Sequence, residues 1–266
     1  MNAHESDEPC KAERVRKELW DKVWKEESYH HSFIKRSLQK VYRQVILKAS
    51  PFNFLIRSWL SEKVDLSKSR VLEIGGAGGL GTVLSPSVKS YTLLDFSEVA
   101  ITRAGRVLHK IPNANYIVGD LFKYVPEEKF DMVISVGLIE HFFGARKEEC
   151  LRAHIRMSNK YVCIGGPSDI PLNWWRHFRF YATKEFPDQR PVSEKELFDL
   201  CLQCNLKPVS MTRIDPTYGR TYRRLSTALH HWYAAYWPSK AWGIDRLDGG
   251  LVVMLAEIPH GTDPNQ

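Results

Sequence analysis

The 266-residue sequence has no apolar run that could cross a membrane and no apolar signal core near its N-terminus. Its longest apolar stretches, such as Leu251 to Ala256, fall far short of the ~20 residues that span a bilayer. The five cysteines are odd in number and scattered along the chain, so they do not predict a disulfide framework. These absences favour a cytoplasmic protein.

Basic side chains are in modest excess, and this excess is unevenly distributed along the sequence. Lys and Arg number 38 against 31 Asp and Glu, which gives a net charge of +7. Residues 1–70 hold 15 basic and 10 acidic side chains, whereas residues 71–170 hold 11 of each and no tryptophan. We interpret the neutral middle as a nucleotide-binding core and the flanks, which carry all eight tryptophans, as recognition surfaces.

From residue 70 onward, short apolar strands alternate with amphipathic helices. This pattern predicts an α/β fold, a Rossmann-like and mostly parallel seven-stranded sheet with helices on both faces. Ser97 and Ser193 are expected to cap two of the helices, which end near Leu108 and Cys204. The predicted strands are Arg70–Ile74, Tyr91–Leu94, Asn115–Val118, Phe130–Val136, Tyr161–Ile164, Val209–Ile214 and Leu251–Ile258.

Three segments outside this alternation are expected to carry the recognition surfaces. Residues 1–69 predict an N-terminal helical cap, and residues 70–266 the main domain with aromatic segments at 166–192 and 215–250. The basic side chains of the cap form either a solvated helix face or a site for an anionic partner. The 215–250 insertion packs as a cap or dimer face, lines an acceptor pocket, or lies on a membrane surface.

A glycine-rich loop follows the first predicted strand, and two ligand classes compete for it. Gly76, Gly78 and Gly81 satisfy the dinucleotide-binding spacing, and Asp95 lies 19 residues beyond Gly76, where an acid for ribose belongs. Glu73 argues against a pyrophosphate, because a carboxylate beside the loop repels phosphates. A cationic ligand without phosphates fits the acid better.

The motifs at the ends of the predicted strands, and their order along the chain, resemble those of the class I S-adenosylmethionine-dependent methyltransferases, in particular their small-molecule branch. Residues 73–79 resemble the acidic glycine loop of that family, with Ala77 in place of one glycine. The resemblance implies that Asp95 holds the ribose and that Asp120 binds the adenine amino group. The candidate donor-binding residues are Glu73, Gly75, Gly76, Ala77, Gly79, Asp95, Phe96, Asp120, Leu121, Ser135 and, as a lid contact, Tyr29.

The segment Glu140-His141-Phe142 follows the fourth predicted strand and resembles the small-molecule branch. His141 is a candidate general base, because the pKa of histidine lies near neutrality, or else it orients the loop. Ser135 stands where metal-dependent members carry an acid, and the paired cysteines at 201 and 204 read as apolar helix residues, so no metal is expected. The candidate acceptor-binding residues are Glu140, Trp174, Trp175, His177 and Trp232.

The predicted function is methyl transfer by in-line displacement from S-adenosylmethionine to an oxygen, nitrogen or carbon atom of a small organic acceptor, aromatic or anionic. The sequence has no motif of the DNA-modifying branches. One alternative is an RNA or protein methyltransferase that uses the basic N-terminal helices. Another is a donor-binding regulatory protein without activity. A homodimer is compatible with the sequence.

Overall fold

The computed structural model describes residues 18, 20, 21, 51–76, 80–109, 111, 113–169, 190–214 and 251–259. Within them, the strands are β1 (Arg70–Ile74), β2 (Ser90–Asp95), β3 (Ala114–Val118), β4 (Phe130–Val136), β5 (Ser158–Pro167), β6 (Lys207–Ile214) and β7 (Leu251–Glu257). The helices are α1 (Pro51–Ser61), α2 (Gly81–Leu84), α3 (Glu98–Leu108), α4 (Ala145–Met157) and α5 (Glu194–Gln203), with 3₁₀ turns at Leu66–Lys68, Ser85–Ser87 and Ile139–His141.

The strands form one seven-stranded sheet in the order β3-β2-β1-β4-β5-β7-β6. Strands β1 to β5 are parallel, and β7 runs antiparallel between β5 and β6. From β1, the strands β2 and β3 are added on one side, whereas β4 and β5 are added on the other side. An open α/β sheet forms a crevice for ligands where the order switches in this way, here between β1 and β4. The predicted α/β architecture with a mostly parallel seven-stranded sheet is confirmed.

Alternating side chains along each strand divide the core between the two faces of the sheet. Val71 on β1 packs on the face covered by α1, α2 and α3, together with Leu93 and Ile134. The next residue, Leu72, packs on the opposite face with Val133 and residues of α4. Helix α5 completes the second face. Helices therefore cover both faces, as the sequence predicts.

Polar caps begin two helices where the sequence places them. The Ser97 hydroxyl accepts a hydrogen bond from the Ala100 N–H at 3.2 Å, and the Ser193 hydroxyl accepts one from the Glu196 N–H at 2.9 Å. Helix α1 begins at Pro51. Proline is compatible with the first helical turn, since the N–H groups there have no intrahelical acceptor.

Most of the predicted cap at 1–69, most of the segment 166–192 and the insertion 215–250 lie outside the described residues, so these assignments stay predictions. Over the described part of the chain, no helix is long and apolar enough to cross a membrane.

The Ser193 cap yields a stability prediction. We expect Ser193→Ala to lower the free energy of unfolding by about 1 kcal/mol, because the Glu196 N–H loses its acceptor. Denaturant unfolding monitored by circular dichroism measures the change. The control is Lys195→Ala on the exposed side of the same helical turn, expected to change stability by less than about 0.5 kcal/mol. Equal effects of the two substitutions would contradict the capping role.

Candidate active site

A cavity of about 660 Å³ opens at the carboxyl ends of β1, β2, β3 and β4. Its walls are formed by Trp20, Ile74, Gly75, Gly76, Leu94, Asp95, Phe96, Val118, Gly119, Asp120, Leu121, Phe122, Lys123, Val136, Gly137, Leu138, His141, Phe142 and Arg146. The cavity thus lies at the point where the strand order reverses. Seven of the residues nominated from the sequence line it: Gly75, Gly76, Asp95, Phe96, Asp120, Leu121 and His141.

Two glycines after β1 are required by the backbone and by a close contact. Gly75 has a φ of +70°, a conformation that other residues rarely adopt, and its N–H donates to the Leu94 carbonyl at 3.0 Å. A Cβ atom at Gly76 would lie 2.5 Å from Oε1 of Glu73. A side chain at either position would displace the loop from the cavity wall. Ala77 and Gly79 lie outside the described residues and stay predictions.

Asp95 is a buried carboxylate that joins two backbone segments at the cavity wall. Its Oδ2 atom accepts from the Gly76 N–H at 3.1 Å, and its Oδ1 atom accepts from the Ser97 N–H at 2.8 Å. Burial raises the pKa of Asp95 to about 6, although both hydrogen bonds oppose that shift; the Asp21 carboxylate adds to it. The side chain fixes the spacing between the glycine loop and the start of α3.

Asp120 is oriented by the turn that follows β3. Its Oδ1 atom accepts from the Phe122 N–H at 2.9 Å, and its carbonyl accepts from the N–H groups of Lys123 and Tyr124. Leu121 adds an apolar side chain to the same wall of the cavity. Phe96, after β2, provides an aromatic ring on the cavity wall. The arrangement offers two carboxylates and apolar surface to a single ligand.

His141 and Trp20 meet at the β4 side of the cavity. His141 is 9% exposed, and the Trp20 ring lies edge-to-face against it with the ring centroids 5.2 Å apart. The neighbouring Asp21 carboxylate accepts a hydrogen bond from the hydroxyl of Ser97. Trp20 is a lining residue that the sequence analysis missed. No local sequence pattern predicts the contact between Trp20 and His141, because the two residues are more than a hundred residues apart in the chain.

Glu73 does not line the cavity. It is 4% exposed, and its Oε2 atom accepts a hydrogen bond from the Tyr91 hydroxyl at 2.6 Å. Strand alternation places it with Val71 on the face covered by α1, α2 and α3, directly beneath Gly76. Burial raises the pKa of Glu73 to about 7, against the lowering effect of the Tyr91 hydrogen bond. The carboxylate supports the glycine loop from below.

Ser135 also points away from the cavity, because alternation along β4 turns it toward α4. His154 Nδ1 lies 2.7 Å from the Cys150 carbonyl, which can only accept, so this nitrogen carries the proton. The Ser135 hydroxyl then donates to Nε2 of His154 at 2.8 Å. Burial lowers the pKa of His154 to about 4, so the ring is neutral. The pair fixes β4 on α4 next to Val136 and Gly137, which do line the cavity.

Glu140 lies behind His141 and is not part of the cavity wall. It is 1% exposed, and its Oε1 atom is 3.9 Å from Nε2 of His141. Its backbone carbonyl accepts from the Arg190 N–H at 3.1 Å, and a Cβ atom at Gly166 would lie 3.0 Å from Oε2. The carboxylate therefore fills the space between the ends of β4 and β5. This placement favours an electrostatic role toward His141 over contact with an acceptor.

The other nominated residues, Tyr29, Trp174, Trp175, His177 and Trp232, lie outside the described residues, and their roles stay predictions. Cys201 and Cys204 are buried thiols, and burial raises the pKa of each. Among the residues described, no group of three or more His, Cys, Asp or Glu side chains could hold a metal ion.

Comparison with known proteins identifies the domain around this cavity. Residues 71–160 match a family model described as a methyltransferase domain, which spans β1 to the first part of β5. The middle third of the chain is therefore similar to a methyltransferase domain. The matched range holds the glycine loop, Asp95, Asp120 and His141, and therefore most of the cavity wall. None of the curated proteins matches the chain.

Solved structures share the fold of this chain at low sequence identity. The magnesium protoporphyrin IX methyltransferase ChlM from Synechocystis PCC 6803, with bound S-adenosylhomocysteine, is 12% identical and aligns with a TM-score of 0.60, covering 93% of this chain and 100% of that one. The N-methyltransferase NodS from Bradyrhizobium japonicum WM9, also in complex with S-adenosylhomocysteine, is 15% identical with a TM-score of 0.52, covering 77% of this chain and 88% of that one.

The raised pKa of Glu73 predicts a pH-dependent stability. The folded state binds the proton of the Glu73 carboxyl group more tightly than the unfolded chain does. The contribution of this proton to the free energy of unfolding is therefore full below pH 4.5 and is lost as the pH rises through about 7. Glu73→Gln keeps an acceptor for the Tyr91 hydroxyl and removes the titration. We expect the variant to gain stability relative to the wild type by up to ~3 kcal/mol between pH 4.5 and pH 8.

Urea unfolding at a series of pH values measures this difference, and subtraction of the two curves removes the similar contribution of Asp95. The control is Glu62→Gln at an exposed position, expected to change stability by less than about 0.5 kcal/mol. A stability difference between Glu73→Gln and the wild type that does not change with pH would contradict the assignment.

Proposed function

We propose that the protein transfers a methyl group from S-adenosylmethionine to a small organic acceptor. The observation that carries the proposal is the buried Asp95 carboxylate, held on the cavity wall by the N–H groups of Gly76 and Ser97 inside a methyltransferase domain. A carboxylate in this position can accept hydrogen bonds from both hydroxyls of a ribose. Such charge-assisted bonds are roughly twice as strong as neutral ones.

The other walls of the cavity fit the remaining groups of this donor. The second carboxylate, Asp120, can accept from the exocyclic amino group of adenine, while Phe96 and Leu121 supply flat apolar contacts for the ring. The glycines after β1 allow close approach of the amino-acid portion to the backbone. Glu73 contributes through the loop it supports and not through direct contact, because its carboxylate does not line the cavity.

The bound donor supplies an electrophilic methyl group on a sulfonium, and the protein's task is to align an acceptor with it. Proximity and orientation can contribute about 7–11 kcal/mol to such a reaction. The transfer end of the proposed site is the β4 side of the cavity, where His141 packs edge-to-face with Trp20. There His141 can accept the proton that an oxygen or nitrogen acceptor loses. Both rings also reduce access of water to this end.

The small-molecule class of acceptor is supported by the resemblance of the segment after β4 and by ChlM, a structural neighbour named for a porphyrin substrate. Incubation of the protein with radiolabelled S-adenosylmethionine and a fractionated cell extract tests this class. Label in the low-molecular-weight fraction supports the proposal. Label confined to RNA or protein would support instead the alternative based on the basic N-terminal helices.

Donor binding makes a direct prediction for Asp95. We expect Asp95→Ala to weaken binding of S-adenosylhomocysteine by about 100-fold or more, because two hydrogen bonds to a charged group are lost. Isothermal titration calorimetry measures the dissociation constant. Asp199→Ala, on the outer surface of α5, is the matched control and should leave it unchanged. If the wild type binds NAD and not S-adenosylhomocysteine, the proposed donor is wrong.

A second prediction concerns His141 and the chemical step. If it acts as a base, His141→Ala lowers kcat by about 10²–10⁴-fold, with little change in the affinity for S-adenosylhomocysteine. Rates are measured under donor saturation with the acceptor found in the extract assay. His109, an exposed residue at the end of α3, gives the control variant His109→Ala. Full activity of His141→Ala would remove it as the base and leave alignment as the means of catalysis.

A further inference from the structure

Arg156 reaches from the last turn of α4 to the backbone of the segment that follows β3, called here the β3 turn (residues 119–124). Its Nη2 atom donates to the carbonyl of Leu121 at 3.2 Å and to the carbonyl of Phe122 at 3.0 Å. Its Nε atom is buried and has no hydrogen-bond partner within the described residues. The guanidinium therefore makes its described hydrogen bonds to this turn alone.

Helix α4 holds the β3 turn at a second point. The guanidinium of Arg146 lies 3.6 Å from the centroid of the Phe122 ring, and Phe142 packs edge-to-face on the same ring with centroids 5.5 Å apart. Helix α4 and the loop before it thus fix both the backbone of the β3 turn and the ring of Phe122. Five consecutive residues of the turn, 119–123, line the cavity.

A single peptide plane connects Arg156 to the carboxylate of Asp120. In a trans peptide, the carbonyl of Leu121 and the N–H of Phe122 point in opposite directions. Arg156 binds that carbonyl, and the N–H on the other side donates to Oδ1 of Asp120 at 2.9 Å. A rotation of this plane would break both bonds together. The orientation of the Asp120 carboxylate thus depends on a residue that is not part of the cavity wall.

We propose that Arg156 is a positioning residue for recognition of the adenine ring. It acts through the Leu121–Phe122 peptide, which leaves Oδ2 of Asp120 for the adenine amino group. The inference rests on the proposed function, since it takes an adenosyl donor as the ligand. It goes beyond that function because it makes base selectivity, and not only affinity, depend on a helix residue behind the turn.

The test compares two ligands that differ at one edge of the base. S-Inosylhomocysteine carries an oxygen in place of the adenine amino group, so it presents an acceptor to the Asp120 carboxylate. We expect the wild type to prefer S-adenosylhomocysteine by about 10- to 100-fold in calorimetric dissociation constants. In Arg156→Ala this preference should fall at least about 5-fold. It should approach the preference of Asp120→Ala, which lacks the carboxylate and therefore gives the lowest preference expected.

Arg152 provides the matched control, because it lies one turn earlier on α4 and pairs with Glu148 at the surface. Arg152→Ala should keep the wild-type preference, and Arg156→Lys, which retains a cationic donor, should recover part of it. If Arg156→Ala does not fold, as judged by thermal unfolding, Arg156→Gln carries the same test.

Equal weakening of both ligands by the Arg156 variant, with an unchanged preference, overturns the positioning role and leaves only a structural one. Failure of the wild type to bind S-adenosylhomocysteine would instead overturn the proposed function itself. The two failures are therefore distinguishable in one set of titrations.

Discussion

The two hydrogen bonds accepted by the buried carboxylate of Asp95 are the constraint on which the site depends. They tie the loop after β1 to the turn after β2, and a third contact, from Gly119 N–H to the Asp95 carbonyl, adds the end of β3. Three neighbouring strand ends thus meet at one residue. A charged group can occupy such a buried position because backbone donors and a polar ligand replace the water it loses.

The acids near this point divide between ligand contact and support. Asp95 and Asp120 face the cavity, whereas Glu73 lies beneath the glycine loop and Glu140 lies behind His141. Burial raises the pKa of both Asp95 and Glu73, so keeping both carboxylates ionised at neutral pH has an electrostatic cost. A cationic ligand that donates hydrogen bonds relieves part of that cost, which fits a phosphate-free donor better than a dinucleotide.

Sequence reasoning predicted the elements whose signal is local and failed where contacts are distant. The strands and the serine caps follow from short patterns, and acids at strand ends follow from where parallel strands terminate. Alternation along β1 and β4 could also have shown that Glu73 and Ser135 lie on opposite faces of the sheet, since Val71 and Ile134 pack on the same face. Trp20 and Arg156 had no such signal, because each acts on a partner that is distant in sequence.

The antiparallel placement of β7 has a consequence for how such a protein can diversify. Ile214 at the end of β6 is paired with Leu251 at the start of β7, and Leu251 is paired with Pro167 at the end of β5. The chain therefore leaves and re-enters the sheet at adjacent positions on the same edge as the cavity. A change of chain length between Ile214 and Leu251 therefore requires no change in the register of β5, β6 and β7.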